Sequence, residues 1–199
     1  LNTYFSLFGL GRNTEEGFFA GPAGTIPSPS WKEKVFPGDP WRIGDTYFTS
    51  IGQYGFQVTL LQMVRATAAL ANGGTYLSPA IFRSTASSTP SSVDIPVKDE
   101  NLQIVREGMR QGAMTGSAKG LNVPYVKIGA KTGTAELGVS KAYVNSWVEG
   151  FFPYENPRYA FIVMMEKGPR ANIYGATAAM RELVDWMSTN TPEYFEIDP

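Results

Sequence analysis

Between Tyr125 and Ala130 the chain alternates: Tyr125, Lys127 and Gly129 fall on one side of an extended segment and Val126, Ile128 and Ala130 on the other. That period of two predicts a strand with one buried face, delivering Lys131 to its end. Further on, residues 140–152 and 157–167 read as two more strands around the turn Pro153-Tyr154-Glu155-Asn156-Pro157. The run 159–165 is apolar on both faces, which predicts cover on both sides.

Helical spacing marks the rest. Thr59 is the expected N-cap of a helix in which Leu60, Met63, Val64, Thr67, Ala68 and Ala71 recur at three and four. Leu61 and Leu70 widen its stripe, and Asn72-Gly73-Gly74 stops it. A second helix is expected from near Val97 to Gly112 with Leu102, Val105 and Met109 inward. A third carries Ala176, Ala179, Met180, Leu183, Val184 and Met187. Residues 1–7 read as a helix end closed by Gly9 and Gly11, and 76–82 as a short strand. The Gly- and Pro-rich stretch 20–29 predicts a long surface connection running to about Asp45, pinned by Trp31, Phe36 and Trp41 as packing anchors. Residues 84–92 form a Ser/Thr-rich polar loop, and 116–124 a loop leading into the central strand. Together these predict an α/β (α+β) fold, an antiparallel sheet with helices on both faces.

Composition narrows the chemistry. At 199 residues and 43% hydrophobic the chain holds one sizeable core, and a net charge of -1 offers no electrostatic ground for binding nucleic acid. The absence of cysteine leaves the redox compartment open. The absence of histidine excludes Ser-His-Asp, Cys-His and His-ligated metal chemistry, so lysine is the natural base for a hydroxyl nucleophile. No apolar run approaches the roughly 18 to 20 residues that span a bilayer. Opening in mid-pattern at Leu1, the chain reads as a fragment.

Lys131-Thr132-Gly133 sets an ammonium, a hydroxyl and a side-chain-free position in succession, and Thr134 adds a second hydroxyl on the side of Thr132. Hydroxyls and ammonium suit a carboxylate. Gly133 lets the backbone of a ligand lie close, and an edge strand would accept an extended peptide as one more strand. Glu136, Arg65 and Lys127 read as solvated or scaffold residues.

The tripeptide lies inside Gly129-Ala130-Lys131-Thr132-Gly133-Thr134-Ala135-Glu136. Upstream come Trp31-Lys32, Trp41-Arg42-Ile43-Gly44-Asp45-Thr46, Thr49-Ser50-Ile51-Gly52-Gln53 and Ala68-Ala69-Leu70-Ala71-Asn72-Gly73-Gly74; residues 146–160 follow. In this order, over nearly the whole chain, they resemble the transpeptidase domain of the class B penicillin-binding proteins, nearest the elongation type, penicillin-binding protein 2. The resemblance departs at Gly52-Gln53-Tyr54-Gly55, where the family has Gly-Gln-Gly and then an aromatic, and at Thr59-Leu60, where it has Thr-Pro.

What the resemblance implies is a β-lactamase-like fold, incomplete in this chain, which would be the C-terminal part of the domain over residues 1–199. The implied activity is peptidoglycan D,D-transpeptidation through a serine acyl-enzyme, with no cofactor and no metal. Lys131 would tune proton transfer and electrostatics around the serine. Thr132 and Thr134, with Gly133 between them, would hold the terminal carboxylate of a D-alanyl-D-alanine stem peptide or of a β-lactam, and the backbone N–H of Thr134 would be half of an oxyanion hole. No lysine has a serine three residues before it, so the Ser-x-x-Lys nucleophile is expected in an upstream part of the same domain. Ser188-Thr189-Asn190 and Ser92-Val93-Asp94 match the family's second element by pattern but fall in the wrong places, and read as coincidences. A glycosyltransferase of the elongation machinery is the implied partner. The implied location is the periplasmic face of the bacterial inner membrane, with an anchoring helix upstream. The alternatives are a penicillin-recognising sensor domain and a non-catalytic fold-mate.

Overall fold

The computed structural model describes residues 1–13, 19–81, 91–172 and 174–195. The chain divides into two units, Leu1–Ala66 with Tyr76–Ile95, and Thr67–Thr75 with Pro96–Pro199.

In the first unit α1 (Asn2–Leu7) ends before Gly9 and Gly11, both at positive φ as expected of the residues that close a helix. The long irregular connection expected as far as Asp45 is interrupted by two helices. In α2 (Pro29–Val35) the Ser28 hydroxyl accepts the Trp31 backbone N–H at 3.1 Å, and Pro29 occupies the first helical position, where its missing N–H costs nothing. In α3 (Ile43–Ser50) the Asp45 carboxylate accepts the Arg42 backbone N–H at 2.7 Å. The start of α4 (Leu60–Ala71) is as expected and tighter: Thr59 Oγ1 accepts the Gln62 N–H at 3.1 Å while Gln62 Oε1 accepts the Thr59 N–H at 2.8 Å. The same Gln62, fully buried, donates to the carbonyls of Arg12 and Ala23 at 2.7 and 2.9 Å.

The strand expected over 76–82 is shorter: β1 (Thr75–Leu77) pairs with β2 (Ser92–Asp94). Ser92-Val93-Asp94, expected at the edge of the polar loop, is therefore strand; residues 84–90 of that loop lie outside the described residues.

Lys32 organises this unit. It is 2% exposed, and its ammonium donates to Asp45 at 2.7 Å and to the Pro40 carbonyl at 3.0 Å and pairs with Asp39 at 3.1 Å. Burial opposes its charge, but the hydrogen bonds to Asp45 and Asp39 outweigh burial and raise its pKa. Both carboxyls are held below the usual range, first of all by the hydrogen bond from Lys32. The expected aromatic anchors surround it. Trp31 meets Phe36 and Tyr54 edge-on, Trp41 meets Tyr54, and Trp41 Nε1 donates to Thr46 at 2.9 Å. Tyr54 sits at φ +64°, a left-handed conformation that suits glycine, and two tryptophans hold it there.

The second unit is built on β3 (Gly129–Leu137), β4 (Tyr143–Phe152) and β5 (Tyr159–Pro169), antiparallel in the order β3-β4-β5. The first strand starts later than expected. Val126, Ile128 and Ala130 are buried as the alternation requires, but before Gly129 the chain has no ladder partner among the described residues; there the Lys127 carbonyl accepts the Tyr154 N–H at 2.9 Å and the Ile128 carbonyl accepts Arg110 Nη1 at 3.2 Å. Burial and pairing are separate matters, and the alternation reports the first.

Two clusters cover the sheet's two faces. Val148 and Phe152 pack with Ala176, Met180 and Val184 of α6 (Ala176–Asn190), while Phe151, on the other face, packs with Ala71 and with Met109 of α5 (Asp99–Met114). Helices on both faces are thus as the sequence predicts. Helix α5 does not stop at Gly112 but runs through it, because the missing side chain lets the helix touch β3: a Cβ there would lie 2.7 Å from the Ala130 carbonyl oxygen. Val105 and Leu183, expected inward, are 44% and 47% exposed. Strand β5 is half-buried and has no fully buried residue, so the expected cover on both of its faces is not found among the described residues. A salt-bridged tether fixes α6: Asp185 takes the Tyr125 hydroxyl and the Arg181 guanidinium, whose Nη1 also donates to the Gly120 carbonyl at 2.9 Å.

Candidate active site

Because β3 pairs only with β4 among the described residues, its other side is an open edge, as the sequence reading requires. Lys131 is the third residue of the strand rather than its end, since the ladder continues through Leu137. The register sets Lys131 opposite Glu149, Thr132 opposite Val148, Gly133 opposite Trp147 and Thr134 opposite Ser146. Strand alternation then separates the motif: Lys131 and Gly133 share a face with Glu149 and Trp147, and Thr132 and Thr134 share the other with Val148 and Ser146. The two hydroxyls come together; the ammonium leaves from the opposite face, so the three do not converge from one side.

Each side chain is differently engaged. Lys131 is exposed, and its ammonium donates to the carbonyl of its neighbour Thr132. The hydroxyl of Thr132 pairs with that of Ser117. Thr134 is exposed at the rim of a cleft of about 290 Å³ shared with Glu136, Ser146, Met165, Arg170 and Tyr174. At that cleft the Ser146 hydroxyl accepts the Ala176 backbone N–H, the first of α6, at 3.0 Å. Gly133 is bare for a second reason besides approach by a ligand: a Cβ there would lie 3.3 Å from Trp147 Cβ on the neighbouring strand.

Beneath Lys131 lies a carboxylate that sequence reasoning missed. Glu149 is half-buried, and its Oε2 accepts the hydroxyl of Thr67 at 3.1 Å. Thr67 is 1% exposed on α4. Burial pushes the Glu149 carboxyl above the usual range, while the Thr67 hydrogen bond and the charge of Lys131 pull it down. Ser117 was also missed, in a stretch that carried no signal beyond a loop. Glu149 had one faint sign, a charged residue at an inward-facing position between Val148 and Gly150.

The residues assigned to the scaffold behave so. Glu136 pairs with Lys141 at 2.7 Å and Arg170 at 2.5 Å, and is held below the usual range, chiefly by the Lys141 hydrogen bond. Lys127 pairs with Glu155. Arg65 is 8% exposed, donates to the Leu77 carbonyl at 2.9 Å and lies 4.3 Å from the centre of the Tyr76 ring. Ser188 spends its hydroxyl on the Asp185 carbonyl and Asn190 its amide on that of Trp186, at 2.7 and 2.8 Å, so that pattern belongs to the end of a helix. No cluster of acids suited to a metal ion, and no helix long and apolar enough to cross a membrane, occurs among the described residues.

Comparison with known proteins fits this geometry. Residues 1–185 match the family model described as the penicillin binding protein transpeptidase domain. The peptidoglycan D,D-transpeptidase MrdA of Acinetobacter baumannii is 30% identical over 84% of this chain and 28% of that protein, and the MrdA of Escherichia coli 28% identical over 93% and 32%. The chain spans about a third of the length of the curated relatives it matches. Among solved structures, PBP2 of Helicobacter pylori superposes with a TM-score of 0.73 at 29% identity, covering 97% of this chain and 35% of that one. PBP2 of Pseudomonas aeruginosa, solved in complex with WCK 5153, superposes with a TM-score of 0.75 at 27% identity, covering 98% and 44%. With an open-edged strand carrying Lys-Thr-Gly, helices on both faces of an antiparallel sheet, and this match over most of its length, the chain belongs to the penicillin-binding protein transpeptidase family, of the penicillin-binding protein 2 type.

Proposed function

We propose that the complete protein is a peptidoglycan D,D-transpeptidase and that this chain is the C-terminal part of its transpeptidase domain, supplying one wall of the active site. The observation that carries the reading is β3 itself, an open-edged strand with Lys131-Thr132-Gly133-Thr134 in a chain of this family. The edge receives a stem peptide ending in D-Ala-D-Ala as an additional strand. Thr132 and Thr134, side by side on one face, bind its terminal carboxylate, Gly133 leaves room for its backbone, and the N–H of Thr134 donates to the oxyanion. Lys131, from the other face, sets the electrostatics and proton transfer around a serine borne on Ser-x-x-Lys in an upstream part of the domain. That serine attacks the penultimate D-alanine carbonyl, the terminal D-alanine leaves, and the amine of a second stem peptide takes the acyl group. A β-lactam occupies the same wall and acylates the same serine. In this reading the protein works at the periplasmic face of the bacterial inner membrane, held by an upstream helix and beside an elongation glycosyltransferase. One PBP2 relative of Helicobacter pylori has been solved as a complex with MreC, and a partner of that kind fits this reading.

In the full-length protein, Lys131→Ala abolishes acylation by a labelled penicillin while stability falls by no more than about 1 kcal/mol, since the lysine is itself exposed and only the half-buried Glu149 across the ladder loses a facing charge. Acylation rate and melting temperature measured together decide it. Unchanged acylation removes Lys131 from the site, and a collapsed melting temperature makes it scaffold. The 199-residue chain alone forms no penicilloyl adduct, since no lysine in it stands three residues after a serine.

A further inference from the structure

We infer that Glu149 is a positioning residue for Lys131, its carboxylate holding the field under the strand-borne ammonium from the adjacent strand. The inference rests on the proposed role of Lys131 and deepens it. Three observations carry it. Glu149 is the direct cross-strand partner of Lys131, so both side chains leave the same face of the sheet. Its carboxylate is tied by Thr67, whose own position is fixed by burial in α4, so the charge sits at a defined place. And a carboxylate half-buried in the middle of a strand is costly unless something opposes its charge.

Among the described residues the surroundings leave Lys131 as that something. From β5 the position opposite Glu149 is the apolar Ile162; from α4 the contact is the neutral Thr67. The cations of α5 are engaged elsewhere, Arg106 Nη2 on the Tyr154 carbonyl at 3.1 Å and Arg110 Nη1 on the Ile128 carbonyl at 3.2 Å. The acid of the same helix, Glu107, takes Gln111 and the Tyr154 hydroxyl. Lys131 is the charge that acts on Glu149. Ionised, the carboxylate attracts the Lys131 side chain on the face they share; protonated or amidated, it does not. Because burial raises the pKa of Glu149, that protonation begins above the ordinary carboxylate range, so the acid side of the acylation profile carries the signature of Glu149.

The test is the second-order rate constant for acylation of the full-length protein by a fluorescent penicillin, measured from pH 4 to 8 for the wild type, Glu149→Gln, Glu149→Asp and Lys131→Ala. Gln keeps the size of the side chain and an oxygen for Thr67, and the final acylated fraction counts the folded molecules in each sample. The expected result is that Glu149→Gln loses about tenfold at neutral pH, as for one unit charge acting on the working group across a partly exposed gap. It also loses the acid limb, and Glu149→Asp restores that limb. Superimposed profiles for wild type and Glu149→Gln overturn the inference, as do equal losses in Gln and Asp with the shape unchanged, which mark plain structural support. If Lys131→Ala acylates like the wild type, the reading of Lys131 fails first and takes this one with it, and that arm separates the two failures.

Discussion

Lys32 and Lys131 each face acids, and the chain treats them in opposite ways. Lys32 has three ammonium donors and three acceptors for them, Asp45, Asp39 and the Pro40 carbonyl, in a place where 2% of it remains exposed. Lys131 stands exposed on an open strand edge with a backbone carbonyl for its ammonium and with Glu149 across the ladder. The first lysine has no capacity left for a ligand; the second has little else to do. Sequence motifs count both as family markers, but saturation of the donors separates a lysine that builds from a lysine left open to a ligand. The acids differ in sign as well. Asp39 and Asp45 are pulled below the usual range by their cation, and Glu149 is pushed above it by burial.

The largest effect is expected from Lys32→Met. It leaves the buried Asp45 carboxylate without its cation, and breaking a buried pair from one side is strongly destabilising. Its melting temperature should fall far below that of Lys131→Ala, while whatever protein remains folded acylates at the wild-type rate. A Lys32→Met protein of normal stability would erase the distinction.

Next come Thr132→Val and Thr134→Val in the full-length protein, which sharpen the working side of the comparison. Either should weaken acylation by a carboxylate-bearing penicillin by about 1.5–3 kcal/mol, the worth of a hydrogen bond to a charged group, and affect an ester analogue far less. Equal losses for acid and ester would return both threonines to the scaffold.

The smallest effect is the pH dependence of stability. For Asp45 the folded pKa is depressed, so its contribution is present above the unfolded value near 3.9 and is lost as pH falls through the folded one. For Glu149 the folded pKa is raised, so its contribution is present below the unfolded value near 4.3 and is lost as pH rises through the folded one. Urea denaturation at pH 3.5 and 7.5 should therefore show Asp45→Asn most harmful at the higher pH. Glu149→Gln should be most favourable there. The same sign for both variants would contradict the opposed environments.

Much of this was readable from the residues. Thr59 and Gln62 stand at capping distance in the sequence and cap each other in the fold, and Thr67 and Ala71 are buried as the stripe of three and four expects, but Leu60 is 42% exposed and the buried face takes Gln62, Arg65 and Ala69 as well. Gly and Pro misled between residues 20 and 45, because their number hid the one serine-proline pair, Ser28-Pro29, that starts a helix. The Lys-Thr-Gly stretch was legible as strand at a sheet edge, but not its split across two faces, since the strand was expected to end where the ladder is in fact just beginning. Glu149 stayed hidden for a different reason. Its meaning comes from Lys131, eighteen positions earlier in the numbering, and only the register brings the two together. Tyr54 is the reverse case: the departure from the family's glycine is visible in the sequence, but the φ of +64° and the two indoles that hold the ring there are not.

The open edge of β3 has a consequence for how such a chain lives in a crowd. A strand that must keep its backbone groups unsatisfied to greet a peptide offers the same invitation to another copy of itself, and exposed edges are where proteins stick together. Here the edge strand carries Lys131 near its start and Glu136, flanked by Lys141 and Arg170, near its finish. Two like strands approaching antiparallel or in register would have to bury or crowd these charges, whereas a short peptide ending in a carboxylate does not. The lysine proposed to serve the substrate would also keep the doorway from closing on a neighbour.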